Sequence, residues 1–209
     1  MISVTILTKN SEARLAQCLD ALKGFDEVIV LDNGSTDQTL AIARQYPNVC
    51  VHEHPFLGFG KMRNLSVSFC KNDWILWVDS DEVLDPILIQ NIQNLSLNPK
   101  HLYRFLRKQY YNGKYINGAG WGNDKVTRLF HKNSTQFNDK DVHEGLNAKG
   151  LQVIDIEGVI HHYSYETADQ LLAKMNYYST LFAVQNQHKK GTHPVIAYFK
   201  KTFHFWNYY

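Results

Sequence analysis

Two aspartates, Asp79 and Asp81, stand one residue apart at the end of the apolar run Trp74-Ile75-Leu76-Trp77-Val78. Carboxylates at i and i+2 in an irregular segment can converge on one divalent cation, and hard oxygen ligands suit Mg²⁺ or Mn²⁺. The same spacing also suits a solvated turn or a helix cap. Other residues with chemical potential are scattered along the chain. Thr8-Lys9-Asn10 with Glu12, and Asp32 with Asn33, also follow short apolar runs. Lys61, Arg63 and Asn64 come just after Gly58-Phe59-Gly60. Cations in the first turn of a helix oppose its dipole, and a bound anion would give them a reason to be there. Downstream, Asp124, Asp139, Asp141 and Glu144 are carboxylates that could act as a general base. His162 reads either as a third cation ligand or as a hydrogen-bonded structural residue. Trp121 reads either as a stacking platform for a sugar face or as core.

The elements that must position these groups follow from periodicity. A continuous apolar run bounded by polar residues suits a strand buried on both faces. Residues 2–7, 27–31, 49–52 and 74–78 fit that description. Leu15, Cys18, Leu19 and Leu22 recur at helical spacing between the first two, with Asn10 or Ser11 as cap and Gly24 as stop. The turn Asn33–Asp37 precedes a helix that ends at Pro47. Met62, Leu65 and Phe69 face inward on the helix opening at Gly60, and Asp85-Pro86 starts another helix. This alternation predicts a parallel sheet with right-handed crossovers. In such a sheet the polar strand ends lie on one edge, where α/β proteins bind ligands. Residues 101–165 change character. A strand over 101–111, a hairpin turn at Asn112-Gly113, a strand over 126–131, and two strands over 151–156 and 159–163 joined at Glu157-Gly158 predict a mixed or antiparallel segment. Thr167-Ala168-Asp169-Gln170 is a capping box for a helix running to about Lys190.

Composition narrows the class. The 209 residues are 44% hydrophobic and 20% charged with net charge +2, which suits a globular protein without a broad nucleic-acid-binding surface. Cys18, Cys50 and Cys70 lack metal-ligand spacing and are expected as free thiols of a reducing cytoplasm. No signal peptide and no membrane-spanning run are expected. The segment 195–209 places Val195, Phe199, Phe203 and Trp206 on one face beside Lys200 and Lys201. It reads as a helix packed on the core or as one lying at the cytoplasmic face of the inner membrane. The natural chain is expected to continue past Tyr209.

Four blocks carry a family resemblance: Val4–Glu12, Glu27–Asp37, Gly60 with Arg63-Asn64, and Asp79-Ser80-Asp81. Their order and spacing resemble the nucleotide-sugar-binding half of glycosyltransferase family 2, inverting enzymes with a GT-A fold. The resemblance implies a Rossmann-like, mostly parallel α/β sheet flanked by helices, with a smaller mixed segment and C-terminal helices. It divides the chain into a nucleotide-sugar part (1–97), an acceptor and catalytic part (98–165) and a helical appendage (166–209). It implies that Glu12 and Asp32 hold the uracil and ribose of a UDP-sugar. The resemblance also implies that Asp79 and Asp81 bind metal and diphosphate; Thr8, Lys9, Asn10, Gly34, Ser35, Lys61, Arg63, Asn64, Ser80 and Trp121 are expected as further contacts to the donor, and His162 is the candidate third metal ligand. Gly120-Trp121, Asp124, Arg128-Leu129-Phe130, Val142-His143-Glu144, His162–Tyr165 and Lys174 narrow it further. These resemble a branch that adds β-1,4-linked glucose to the lipopolysaccharide inner-core heptose, a lipid-linked acceptor. The Glu-Asp motif that supplies the base in the wider family is not present as such, so Glu144 is the first choice for the base and Asp124 the second. A nucleotidyltransferase and a non-catalytic nucleotide-sugar-binding protein are the rival readings.

Overall fold

A computed structural model of the chain describes residues 1–118, 122, 124–138 and 145–186. Nine described strands join in one sheet. β1 (Ile2–Thr8), β2 (Glu27–Asp32), β3 (Val49–Glu53) and β4 (Trp74–Asp79) are parallel, in the order β3-β2-β1-β4. Beyond β4 the sheet continues through β8 (Asp124–His131), β6 (His101–Tyr111), β9 (Gln152–Tyr165) and β5 (Glu82–Leu84), with β7 (Lys114–Tyr115) hairpinned onto β6. β8 runs antiparallel to both β4 and β6, while β6 and β9 are parallel. This is the expected parallel sheet with a mixed extension.

Both faces of the sheet are covered, because adjacent residues of a strand point to opposite sides. Leu76 and Val78 join one cluster with Leu15, Cys18 and Leu19 of α1 (Leu15–Ala21), Ala43 of α2 (Thr39–Ala43), and Leu88 and Ile92 of α4 (Pro86–Gln93). Ile75 joins the other cluster with Cys70, Leu102, Phe130 and Phe137, and Val67 of α3 (Phe59–Ser68) packs against it. Each fully buried Leu or Ile in these clusters stabilises the fold by roughly 1.5–3 kcal/mol.

Local signals act as expected at three points. Asp85 caps α4, its Oδ1 accepting from Leu88 N at 2.6 Å with Pro86 at the first helical position. Asn112 and Gly113 both adopt positive φ (47° and 69°) in the β6–β7 turn. Thr167 Oγ1 accepts from Gln170 N at the start of α5 (Ala168–Asn186). Two expectations are corrected. Neither Asn10 nor Ser11 caps α1; Ser11 O instead accepts from the N–H groups of Arg14 and Leu15 in a preceding turn, and Asn10 (φ 49°) turns its side chain to the neighbouring loop. The two strands expected over 151–163 are one continuous strand, β9. Its register against β6 shifts after Phe105–Ile156, so Glu157-Gly158 is a bulge within the strand. Gly158 holds φ at +119°, and a Cβ there would lie 2.5 Å from Leu88 Cα. The missing side chain is what lets α4 cross the bulge.

Candidate active site

The parallel register aligns Thr8 with Asp32, and Leu7 with Asp79, so the polar ends of β1, β2 and β4 share one edge. A cleft of about 890 Å³ opens over the β1 and β4 ends. It collects Lys9 and Asn10, Arg63, Asp79-Ser80-Asp81, and, from the mixed part of the sheet, Asp124 and His162. All of these are residues that the sequence had singled out. Thr8, Glu12, Asp32, Gly34, Ser35, Lys61 and Asn64 are not in its lining. Trp121 and Glu144, together with Asp139, Asp141 and His143, lie outside the described residues.

The residues behind the lining have identifiable work. Asp32 is fully buried, and its four acceptor positions are taken. Thr8 Oγ1 and Ser35 Oγ donate to Oδ1, and the N–H groups of Gly34 and Ser35 donate to Oδ2. Burial alone would raise its pKa, but the donors from Ser35, Thr8 and Gly34 outweigh that and hold the carboxyl below its usual range. The next turn is zipped to the β1 loop. Lys9 Nζ donates to the carbonyls of Asn33 and Gly34, Asn10 Oδ1 accepts from Thr36 N, and Glu12 Oε2 accepts from Gln38 N. Asn64 holds the peptide of Phe137 with both ends of its amide, at 3.0 Å each. Lys61 is exposed.

The cleft floor is a charge-balanced network. Asp79 has one oxygen on Arg63 Nη2 (2.5 Å) and the other on Arg128 Nη2 (2.8 Å). Burial pushes its pKa up, but the Arg128 and Arg63 guanidiniums and then His162 outweigh it and hold the carboxyl well below the usual carboxylate range. Arg128 is 1% exposed and also pairs with Glu82, which is 0% exposed. Burial would lower the Arg128 pKa, and the Glu82 and Asp79 carboxylates raise it instead. Glu82 Oε2 accepts from Asp79 N, and Arg107 bridges Glu82 Oε1 (3.2 Å) to Asp124 Oδ2 (2.6 Å). Both Arg63 and Arg128 lie over the Trp77 ring, at 4.1 and 3.5 Å from its centroid. The ring is itself anchored by Nε1–H donation to Thr127 O. The cation at the start of α3 thus has an anion opposite it, and that anion is Asp79.

Asp81 and His162 form a separate edge. β5 pairs with β9 so that Glu82 opposes His162, and Tyr163 N donates to Asp81 O. His162 Nε2 then faces Asp81 Oδ1 at 3.2 Å. A carboxylate and an imidazole nitrogen side by side over an open cleft are ligand types that suit a divalent cation. Among the described residues no group of three or more His, Cys, Asp or Glu converges as a closed metal cage.

Glu82, Arg107, Gln109, Ser164 and Arg14 were missed as site residues. Arg107 and Gln109 alternate on β6, as His162 and Ser164 do on β9, and polar residues at period 2 inside strands mark a wet face. Glu82 had a similar signal, a carboxylate two residues before the buried Leu84.

Residues 3–153 match the model of glycosyl transferase family 2. The chain belongs to glycosyltransferase family 2. An uncharacterized glycosyltransferase of Rickettsia prowazekii is 32% identical over 194 residues, covering 86% of this chain and 65% of the relative. The chain therefore spans 65% of the length of that relative. The lipopolysaccharide core biosynthesis glycosyltransferase LpsC of Rhizobium meliloti is 27% identical over 201 residues, 92% of this chain and 74% of LpsC. Among solved structures, residues 1–349 of S. aureus TarS in complex with UDP-GlcNAc superpose with a TM-score of 0.57 at 20% identity, covering 91% of this chain and 68% of that one. The shared fold is the GT-A fold of the family.

Proposed function

We propose that this chain carries the donor site and catalytic centre of an inverting transferase that moves glucose from UDP-glucose to a lipopolysaccharide inner-core heptose. The observation that carries this reading is the cleft at the parallel strand ends, where Asp79-Ser80-Asp81 meets Arg63, Asp124 and His162. The likeness to LpsC supports a lipid-linked core acceptor. Such an acceptor fits an enzyme working at the cytoplasmic face of the inner membrane, with the basic, aromatic 195–209 segment at the lipid surface. Among the described residues no helix is long and apolar enough to cross a membrane.

In this reading Asp81 and His162 hold Mg²⁺ or Mn²⁺, and Asp79 orders the arginines beside it. A bound divalent ion would neutralise charge on the departing diphosphate. Arg63 sits beside the same site and offsets phosphate charge. Lys9 and Asn10 shape the wall on which the nucleoside lies, and Asp32 fixes that wall from behind. The acceptor hydroxyl loses its proton to a carboxylate as it attacks the anomeric carbon. We assign that base to Glu144, with Asp124 as the second choice. Asp124 carries Arg107 and Gln109 on a single oxygen, Oδ2.

The test is UDP release from UDP-glucose with Mg²⁺ or Mn²⁺, with and without a heptose-containing core acceptor. Acceptor-stimulated, metal-dependent release is the expected result. Absence of metal-dependent turnover with any UDP-sugar would sink the proposal. Glu144→Gln should abolish turnover and spare UDP binding, whereas a fully active variant moves the base to Asp124.

A further inference from the structure

Asp124 has one carboxylate oxygen fully engaged and the other open. It opposes Arg107 where β8 runs against β6. Arg107 Nε (2.8 Å), Arg107 Nη2 (2.6 Å) and Gln109 Nε2 (2.9 Å) all donate to its Oδ2. Those donors are themselves anchored: Arg107 Nη1 donates to Glu82 Oε1, and Gln109 Oε1 accepts from Ser164 Oγ, both at 3.2 Å. Three anchored donors on one oxygen fix the direction of the whole group. Oδ1 has no hydrogen-bond partner among the described residues, and solvent reaches it, the side chain being 29% exposed. Asp124 lines the cleft, so this oxygen is available to what the cleft holds.

Gln109 opposes His162 in the β6–β9 register, and the Gln109 and Ser164 side chains bridge from Asp124 to His162. The open oxygen therefore stands across two small polar side chains from the edge where the diphosphate of a donor would sit. A carboxylate paired with arginine offers only lone pairs, and the donor that a sugar presents is a hydroxyl. We propose that Asp124 Oδ1 accepts a hydrogen bond from one hydroxyl of the transferred hexose, which makes Asp124 a specificity-determining residue of the donor site and leaves proton removal to Glu144. This rests on the proposal that the cleft binds a UDP-sugar with its diphosphate at the Asp81–His162 edge. Because the carboxylate cannot turn, it reads the direction of that hydroxyl as well as its presence. A site built to bond a hydroxyl rejects an analogue that lacks it, since a polar group is then left without its partner.

The test is calorimetric titration of the full chain, with Mn²⁺, by UDP, by UDP-glucose, and by each singly deoxygenated UDP-glucose and its deoxyfluoro counterpart. In the wild type, removal of one particular hydroxyl should weaken binding about 10–100-fold, the worth of a hydrogen bond to a charged group. The deoxyfluoro analogue at that position should be equally weak, because fluorine cannot donate. In Asp124→Asn the side-chain carbonyl must face the Arg107 and Gln109 donors, which turns Nδ2 to the cleft. There the deoxyfluoro analogue should bind about as tightly as UDP-glucose, and more tightly than the deoxy one. Asp124→Ala should bind all three alike, and both variants should keep the wild-type affinity for UDP. The inference is overturned by equal binding of every analogue to the wild type, by an analogue pattern that both variants leave unchanged, or by loss of UDP affinity in both variants. A fall in kcat with the analogue pattern intact would overturn it too, and would make Asp124 the base. A wild type that binds neither UDP nor UDP-glucose would overturn the donor reading itself.

Discussion

Replacing Arg128 by Met tests the charge network under the cleft. Methionine keeps an unbranched stem against Trp77 but removes the guanidinium that Glu82 and Asp79 share. Breaking a buried pair by deleting one partner costs about 3–5 kcal/mol, because it leaves a charge uncompensated away from water. Glu82 keeps Arg107 and Asp79 keeps Arg63, so the pair loss belongs at the low end of that range. Loss of a desolvated cation from the Trp77 face adds up to about 2 kcal/mol. The expected destabilisation is therefore about 3–5 kcal/mol, or a Tm lowered by about 6–20 °C at roughly 2–4 °C per kcal/mol for a chain of this size. Urea unfolding followed by tryptophan fluorescence measures it, with the slope compared between variants. The double variant Arg128→Met, Glu82→Gln should cost less than the sum of its parts, since the second change removes the stranded charge. A loss below about 1 kcal/mol for Arg128→Met, the level of an exposed pair, would refute the account of a desolvated network.

Three further outcomes are expected. Asp32 has a folded-state pKa below its unfolded value of about 3.9, so its contribution is present above that pH and is lost as pH falls toward the folded value. Asp32→Asn should cost about 1–3 kcal/mol at neutral pH, and the gap to the wild type should narrow as pH falls below about 4 in acid titrations of unfolding. Gly158→Ala adds strain of about 1–3 kcal/mol at φ +119° and overpacking of about 1–3 kcal/mol against the α4 backbone, so thermal unfolding should show a loss of about 2–6 kcal/mol. Thiol titration of the native protein should find Cys50 fast and Cys18 and Cys70 slow. Cys50 is exposed, whereas burial, with Glu27 adding to it, pushes the Cys70 thiol to about 12.

The parallel half of the fold was legible because each of its strands is a short apolar run ending in polar residues. That pattern also located Asp79, Asp81 and the edge they share with Lys9 and Asn10. The caps at Asp85 and Thr167 and the Asn112-Gly113 turn were legible for the same reason, since each acts within a few residues. What escaped was set by contacts far apart in the chain. Asp32 carries the polarity of a ligand-binding residue, but its oxygens are spent on its own turn and on Thr8. Arg63 promised a bound anion and found Asp79, 16 residues away. Glu82 gave no hint that it sits between two arginines from β6 and β8. The continuity of β9 was hidden because Glu157-Gly158 looks like a turn locally, and only pairing with β6 carries the strand through it.

The Asn64 amide clamp has a consequence for how such an enzyme could diversify. It pins Phe137 to α3, while Phe137 bridges Leu146 and Asn138 N donates to Gly145 O. The two ends of the chain that flank 139–144 therefore stand side by side on a fixed post. Lengthening a loop whose ends are already held together costs only about 0.6 kcal/mol per doubling. The length of 139–144 can thus change around Glu144 at little cost while the sheet and the arginine network stay where they are.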